Sequence, residues 1–242
     1  MDRLKVFTFL FGVSCVVTLG VGMVTTQYLE MMNHYINIHS HQPDSQAFLT
    51  IKNADLLEVD SQYLYSVGLH PWSITSNYTL QMQLIKQTAT HPQVLAIGET
   101  GLDKVCNTPL ELQKEVFLQH IQLAQELQRP LIIHCVKAFD ELLALKKETA
   151  ASVPFIIHGF KGKIQQAQQL LTKDCYLSFG VKFSPETLLA MPLERMFLET
   201  DEADKSIEEH YREVAQLLDL PIEKLRAQIL DNFNKVFHES FN

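Results

Sequence analysis

Basic charge is in short supply. The 242 residues hold 20 Lys and Arg against 28 Asp and Glu, a formal net charge of −8, which argues against a general cationic footprint for nucleic acid. Phosphate binding would have to rest on bound cations and a few local lysines. Cysteine is scarce too: Cys15, Cys106, Cys135 and Cys175 form no C-x-x-C pair and no regular spacing. Isolated thiols in a reducing compartment fit this better than a disulfide framework, so a cytoplasmic protein is expected. One long apolar stretch pulls the other way. Val6 to Val24 is uncharged behind Arg3 and Lys5, and by length it reads as a transmembrane anchor, as a signal peptide, or as sequence upstream of a true start at Met31 or Met32. The expected organisation is an apolar leader, 1–31, and one domain, 32–242. A genuine leader in residues 1–25 would anchor the protein in a membrane or export it.

At 46% hydrophobic and 20% charged, the remainder is globular material. Short β-rich runs alternate with longer helical patterns: "YINIHSH" to His41, "YLYSVGLH" to His70, "QVLAIGE" to Glu99, "PLIIHC" around His134, "PFIIHG" around His158, "CYLSFG" to Gly180 and "RMFLETD" to Asp201. Leu112, Val116, Leu123, Ala124 and Leu127 recur at helical spacing and predict a crossover helix over 109–128; further helices are expected over 139–148, 162–172 and 207–218, with a last one from Pro221 or Ile222 toward Phe237. The rhythm is that of βα units. Chemistry gathered at the carboxyl ends of successive parallel strands is what the top face of a TIM-like (β/α)8 barrel provides. An open doubly wound sheet would string the same residues along a line. Between His41 and Gly68 there is room for an eighth strand, with "LLEV" at Leu56–Val59 as the candidate, but hardly for a full helix, so distortion and shortening are expected between the first and third strands.

Alternation sends His39 and His41 to the same face of one strand. With Glu99, His134, His158 and Asp201 they make six groups of metal-ligand type, each near the end of a run. Brought together in a barrel mouth, the two carboxylates would be costly to bury without cations. Six ligands suit two divalent ions sharing a carboxylate: His39, His41 and Asp201 on one, His134 and His158 on the other, with Glu99 between. Such a pair activates water and stabilises charge developing on a phosphoryl or carbonyl oxygen, which predicts a hydrolase with Asp201 as candidate general base. Mixed imidazole and carboxylate ligands accept Mg, Mn or Zn alike.

The motifs "NIHSH", "VGLHPW", "LAIGETGLD", "RPLIIHCVKAFDELL", "IIHGFKGK", "FLETD" and "NFNKVF", in this order from Tyr35 to Phe237, resemble the TatD-type metal-dependent deoxyribonucleases of the amidohydrolase superfamily. The resemblance implies a TIM-like barrel, two divalent ions on the six ligands and hydrolysis of DNA phosphodiester bonds, often from the 3′ end. His70 matches a family histidine near the scissile phosphate. Three departures stand out: Asn37 where the family usually has Asp, Val136 where it commonly has Arg, and no Pro after Glu-Thr-Asp. Lys104, Lys137, Lys161 and Lys163 follow strand ends and are candidates to supply the charge of the missing arginine. Trp72 could stack a base or simply pack; Asn37 and Asp103 are expected to support the ligands from behind. The leading expectation is DNA cleavage, exonuclease-like. A small ester, amide or nucleotide-linked substrate is the alternative, and a membrane-tethered binding protein without turnover is a third reading. No obligate protein partner is expected, and a membrane only if the leader is genuine.

Overall fold

The computed structural model describes residues 35–42, 47–54, 59 and 63–237. Eight strands run in one sheet in chain order, every neighbouring pair parallel: β1 (Tyr35–Ser40), β2 (Ala47–Asn53), β3 (Leu64–Val67), β4 (Val94–Asp103), β5 (Leu131–Val136), β6 (Phe155–Ile157), β7 (Cys175–Phe179) and β8 (Met196–Leu198). The helices are α1 (Tyr78–Thr88), α2 (Leu110–Leu127), α3 (Phe139–Glu148), α4 (Ile164–Leu171), α5 (Pro185–Leu189), α6 (Ile207–Leu217) and α7 (Ile222–Phe237). The sheet closes on itself just past β8. The Asp201 N–H donates to the His39 carbonyl (3.1 Å) and the His41 N–H to the Asp201 carbonyl (3.2 Å). The expected (β/α)8 barrel is the observed fold.

The strands are near-continuous apolar runs because a parallel barrel buries both their faces. Ile132 and Ile133 of β5, all of β6, and Leu177 and Phe179 of β7 are buried. The helices lay one apolar stripe each on the outside of this cylinder. In α2, Val116, Phe117, Ile121 and Ala124 point inward, and the Phe117 ring meets Phe155 of β6 at 6.3 Å. A fully buried Phe or Ile contributes about 1.5–3 kcal/mol, so these stripes fix where each helix sits. Helix α6 starts on Ser206, whose hydroxyl accepts from the Glu209 N–H, with Glu208 and Glu209 in its first turn. Its Tyr211 hydroxyl then donates to the Ile36 carbonyl (2.9 Å) and accepts from the Ile36 N–H (3.3 Å), tying the last helical layer to the first strand.

The sector between β1 and β3 differs from the expectation in one respect. The second strand is Ala47–Asn53, "AFLTIKN", rather than "LLEV" at Leu56–Val59, of which residues 56–58 lie outside the described residues. Its polar members Thr50, Lys52 and Asn53 disguise it, and its register against β1 slips twice. Among the described residues no helix separates β1, β2 and β3, as the spacing predicted. Helix α1 and the short α5 were not foreseen. The leader, 1–31, also lies outside the described residues.

Strand β4 carries the irregularity that matters. Its pairing with β5 passes from Ile97↔Leu131 to Thr100↔Ile133, so β4 spends one more residue than its partner there. A bulge of this kind re-aims side chains, and Glu99 lies within it. The glycines on either side allow the close approach: a Cβ on Gly98 would stand 2.4 Å from the Ile132 carbonyl oxygen, and one on Gly101 2.0 Å from that of His134.

Candidate metal centre

The bulge turns Glu99 into the barrel mouth, where its two oxygens face different partners. Oε2 lies 3.5 Å from His39 Nε2 and 3.7 Å from His41 Nε2, and Asp201 Oδ1 completes that side at 3.6 and 3.5 Å from the same two nitrogens. Oε1 lies 2.7 Å from His158 Nε2, 3.0 Å from His134 Nδ1 and 3.3 Å from His70 Nε2. All six residues expected as ligands therefore converge, with one carboxylate between two imidazole sets. Three groups have ligand atoms within 4.8 Å of one another: His39, His41 and Glu99; His39, His158 and Asp201; and His70, Glu99 and His134.

The spacing on the Oε2 side is informative. Separations of 3.5–3.7 Å are too long for hydrogen bonds, whereas two atoms each about 2.1 Å from a tetrahedral ion stand about 3.4 Å apart. His39 is fully buried, yet among the described residues neither of its ring nitrogens has a hydrogen-bond partner. A buried ring nitrogen without a partner costs about 1–3 kcal/mol, and a cation between His39, His41, Glu99 and Asp201 would satisfy Nε2. The donor set fits a divalent ion.

On the Oε1 side the far nitrogens are already committed. Glu199, fully buried, lies 3.2 Å from His158 Nδ1 and accepts from the Gly159 N–H at 2.7 Å. Asp103 Oδ2 lies 3.2 Å from His134 Nε2. Carboxylates of this kind hold the outer ring proton and leave the inner nitrogen's lone pair aimed at the site. Two such nitrogens against one carboxylate oxygen require positive charge between them, supplied by protons or by a cation.

The electrostatics follow. Burial alone would raise the Glu99 carboxyl, but its contacts with His134, His158, His39 and His41 override this and hold it well below the usual carboxylate range. Burial would lower His158, but the charge of Glu199, its hydrogen bond and Glu99 raise the imidazole well above its ordinary value. For Glu199, burial is likewise outweighed by His158, leaving the carboxyl low. His41 is raised, chiefly by Glu99 with burial opposing. Asp103 resists burial through the Trp72, Val105 and His134 bonds and is lowered.

His70, expected at a strand end, lies in the turn after β3 and caps the short turn Pro71–Ser73. Its Nδ1 accepts from the Trp72 N–H at 3.1 Å. In the neutral ring this puts the proton on Nε2, so His70 presents a donor beside Glu99 rather than a lone pair. Among the described residues Asn37 makes no hydrogen bond to the imidazoles. Fully buried, it donates to the Thr200 hydroxyl (2.7 Å) and accepts from the Thr200 N–H (3.1 Å), fixing the strand end between Glu199 and Asp201. Lys137, Lys161 and Lys163 are exposed and form no ion pair among the described residues. Lys104 differs from expectation: it pairs with Glu141 of α3 at 2.6 Å, because the helix start brings an acid to the end of β4.

Three contributors escaped the sequence reading. Glu199 had a signal, since it stands two residues before Asp201 in "FLETD". Asn53, whose Oδ1 accepts from the Glu99 N–H at 3.0 Å, sits on the strand that was misplaced. His120 of α2 accepts from the Leu69 N–H at Nε2 (3.0 Å) and bonds the Val116 carbonyl through Nδ1 (2.8 Å), pinning the loop that carries His70; within a helix pattern it is indistinguishable from a core residue.

The family model described as TatD related DNase matches residues 23–238. The chain is 34% identical over 162 residues to an uncharacterized metal-dependent hydrolase, YabD, of Bacillus subtilis, covering 63% of this chain and 64% of that protein. It is 34% identical over 148 residues to the 3′-5′ ssDNA/RNA exonuclease TatD of Klebsiella pneumoniae, covering 56% of each. Among solved structures, the TatD homologue YJJV from Escherichia coli superposes with a TM-score of 0.74 at 20% identity, over 86% of this chain and 99% of that one. That last likeness concerns the fold. Among the described residues, no helix is long and apolar enough to cross a membrane.

Proposed function

Because the chain belongs to the TatD-related DNase family and is a metal-dependent hydrolase of that family, we propose that it cleaves phosphodiester bonds of a nucleic acid strand. In this reading His39, His41 and Asp201 would hold one divalent ion and His134 and His158 a second, with Glu99 available to both. Mg, Mn and Zn all suit the donor set. The observation that carries the reading is the division of labour on Glu99, one oxygen toward each imidazole set.

Bound there, the ions would lower the pKa of an attacking water and neutralise charge growing on the phosphoryl oxygens. The protein groups then have separable tasks. Asp201, with 40% of its side chain exposed, reaches the open mouth and accepts the water's proton at a carboxylate oxygen. His70 donates its Nε2–H to a phosphoryl oxygen or to the departing oxygen. Glu199 and Asp103 hold His158 and His134 in the tautomer that keeps lone pairs inward. The K. pneumoniae relative is named for single-stranded DNA and RNA, and an exonuclease acting on such strands is the form of the activity proposed here. Lys137, Lys161 and Lys163 supply point charges for the flanking phosphates, in place of the bidentate arginine that Val136 removes.

The test is a substrate panel with metal analysis: single-stranded DNA, RNA, duplex DNA and chromogenic esters, each with chelated and metal-replete protein. Nucleic acid cleavage that disappears with chelation and falls at least 100-fold in Glu99→Gln, whose helical and sheet content is unchanged, is the expected result. Ester turnover far above nucleic acid turnover would replace this reading with a small-molecule hydrolase. Metal content near zero after purification in metal-replete buffer would remove the catalytic reading.

A further inference from the structure

The indole of Trp72 has an unusual placement for a large apolar group: 67% of the residue is exposed, yet its polar edge is anchored. Its Nε1–H donates to Asp103 Oδ2 at 2.7 Å, the same oxygen that lies 3.2 Å from His134 Nε2. The imidazoles of His70 and His134 stand nearly perpendicular to it, at centroid distances of 4.9 and 5.9 Å, and among the described residues no ring stacks in parallel on it. Leaving an indole in water forgoes the burial that makes tryptophan useful in a core. Here the polar edge is anchored and the apolar face is left for something else.

Beside it lies a cleft of about 280 Å³ lined by Trp72, Asp103, Val105, Cys106, Asn107 and Thr108. Val105 is 60% exposed and adds a second apolar surface. Of the polar lining groups, Asp103 is fully engaged by Trp72, His134 and the Val105 N–H (2.8 Å), and the Thr108 hydroxyl donates to the Pro71 carbonyl. The exposed Asn107 amide makes no hydrogen bond among the described residues, so it retains both a donor and an acceptor. Asp103 belongs to both places: it lines the cleft, and its Oδ2 lies 3.2 Å from Nε2 of His134.

Resting on the nucleic-acid reading above, we propose that this cleft is a nucleobase subsite: an unpaired base flanking the scissile phosphate stacks on Trp72 beside Val105, with its edge within reach of Asn107. A flat heteroaromatic matches an exposed indole anchored at its edge, and stacking tolerates any of the bases because each offers a π-face. Among the described residues its lining holds no lysine or arginine, so it suits the neutral base rather than the phosphate. A base still paired and stacked in a duplex cannot enter it without being extruded.

The chain has a single tryptophan, so its intrinsic fluorescence reports on this site alone. The probes are phosphorothioate-linked trinucleotides in metal-replete buffer, complete or with an abasic residue at either nucleotide flanking the cleavable linkage. Complete trinucleotide should quench the fluorescence, and one of the two abasic versions should not. In turnover of the corresponding phosphodiesters, Trp72→Ala should raise KM for the complete strand roughly 5- to 150-fold, the range expected for loss of one base–aromatic stack, and raise it far less for that abasic strand. Trp72→Phe, which keeps a flat ring but not the bond to Asp103, should recover most of the loss in KM. Equal quenching by all three probes would overturn the proposal. So would a fall in kcat of equal size for complete and abasic strands in Trp72→Ala, since that would make the indole a brace for Asp103 and His134. Either result in a protein that still cleaves nucleic acid would leave the assigned activity intact.

Discussion

His120 offers a prediction that can be worked from the structure without reference to any bound ion. The imidazole is completely buried within α2, and burial pushes its pKa down from 6.5 to about 4, with the hydrogen bond to Val116 opposing. The gap of about 2.5 pH units, at about 1.4 kcal/mol each, corresponds to about 3.5 kcal/mol in all, most of it lost by pH 4. Its sign follows from proton counting. Between pH 6.5 and 4 the unfolded chain binds a proton at this site that the folded chain excludes, so acid favours unfolding. Stability conferred by the neutral ring is fully present above pH 6.5 and is lost as pH falls toward 4. Below 4 both states are protonated and the slope vanishes. His120→Gln removes the titration while its side-chain oxygen can still accept from the Leu69 N–H. Urea unfolding of both proteins at pH 7, 6, 5 and 4 gives the check. At pH 7 the variant should be less stable by about 1–2 kcal/mol. The wild-type advantage should then shrink by about 3 kcal/mol on going to pH 4, ending as a deficit. Other titrating groups, including the buried His210, whose pKa is also lowered by burial, cancel in the difference. An advantage that stays constant across this range would show that burial does not keep the His120 ring neutral.

Three further outcomes are expected. Glu199→Gln removes the charge behind His158 while preserving shape, and metal affinity measured by titration calorimetry should drop about 10- to 100-fold; unchanged affinity would mean that His158 is not a ligand. Asn37→Leu strands the buried Thr200 N–H and should cost about 1–3 kcal/mol in denaturant unfolding. Asn37→Asp should cost less, because the Thr200 hydroxyl can turn and donate to the carboxylate, and equal costs would show that this hydrogen bond is not what matters. Tyr211→Phe leaves the Ile36 N–H and carbonyl without their buried partner and should lower stability by about 1–3 kcal/mol, visible as a shifted urea midpoint with an unchanged slope.

Much of the site is written locally in the chain. His39 and His41 share a face because a strand has a period of two. The two Pro-x-Ile-Ile-His runs announce strands β5 and β6, and the apolar stripe of α2 announces a crossover helix, all from neighbours within a few residues. Such features depend on side-chain type and spacing, which the sequence carries in full. It therefore determined the barrel and the six groups that converge in its mouth.

What tertiary structure alone decided is how those groups face one another. The single extra residue of β4 aims Glu99 between two imidazole sets, and nothing in "GETG" specifies where β5 will stand. The bond from the Trp72 N–H to His70 makes that ring a donor. Glu141 captures Lys104, and the polar strand Ala47–Asn53 supplies the amide that holds Glu99. Each of these turns on a register or a hydrogen bond between segments far apart in the chain, and such contacts exist only once the cylinder has closed and fixed which backbone atoms are neighbours.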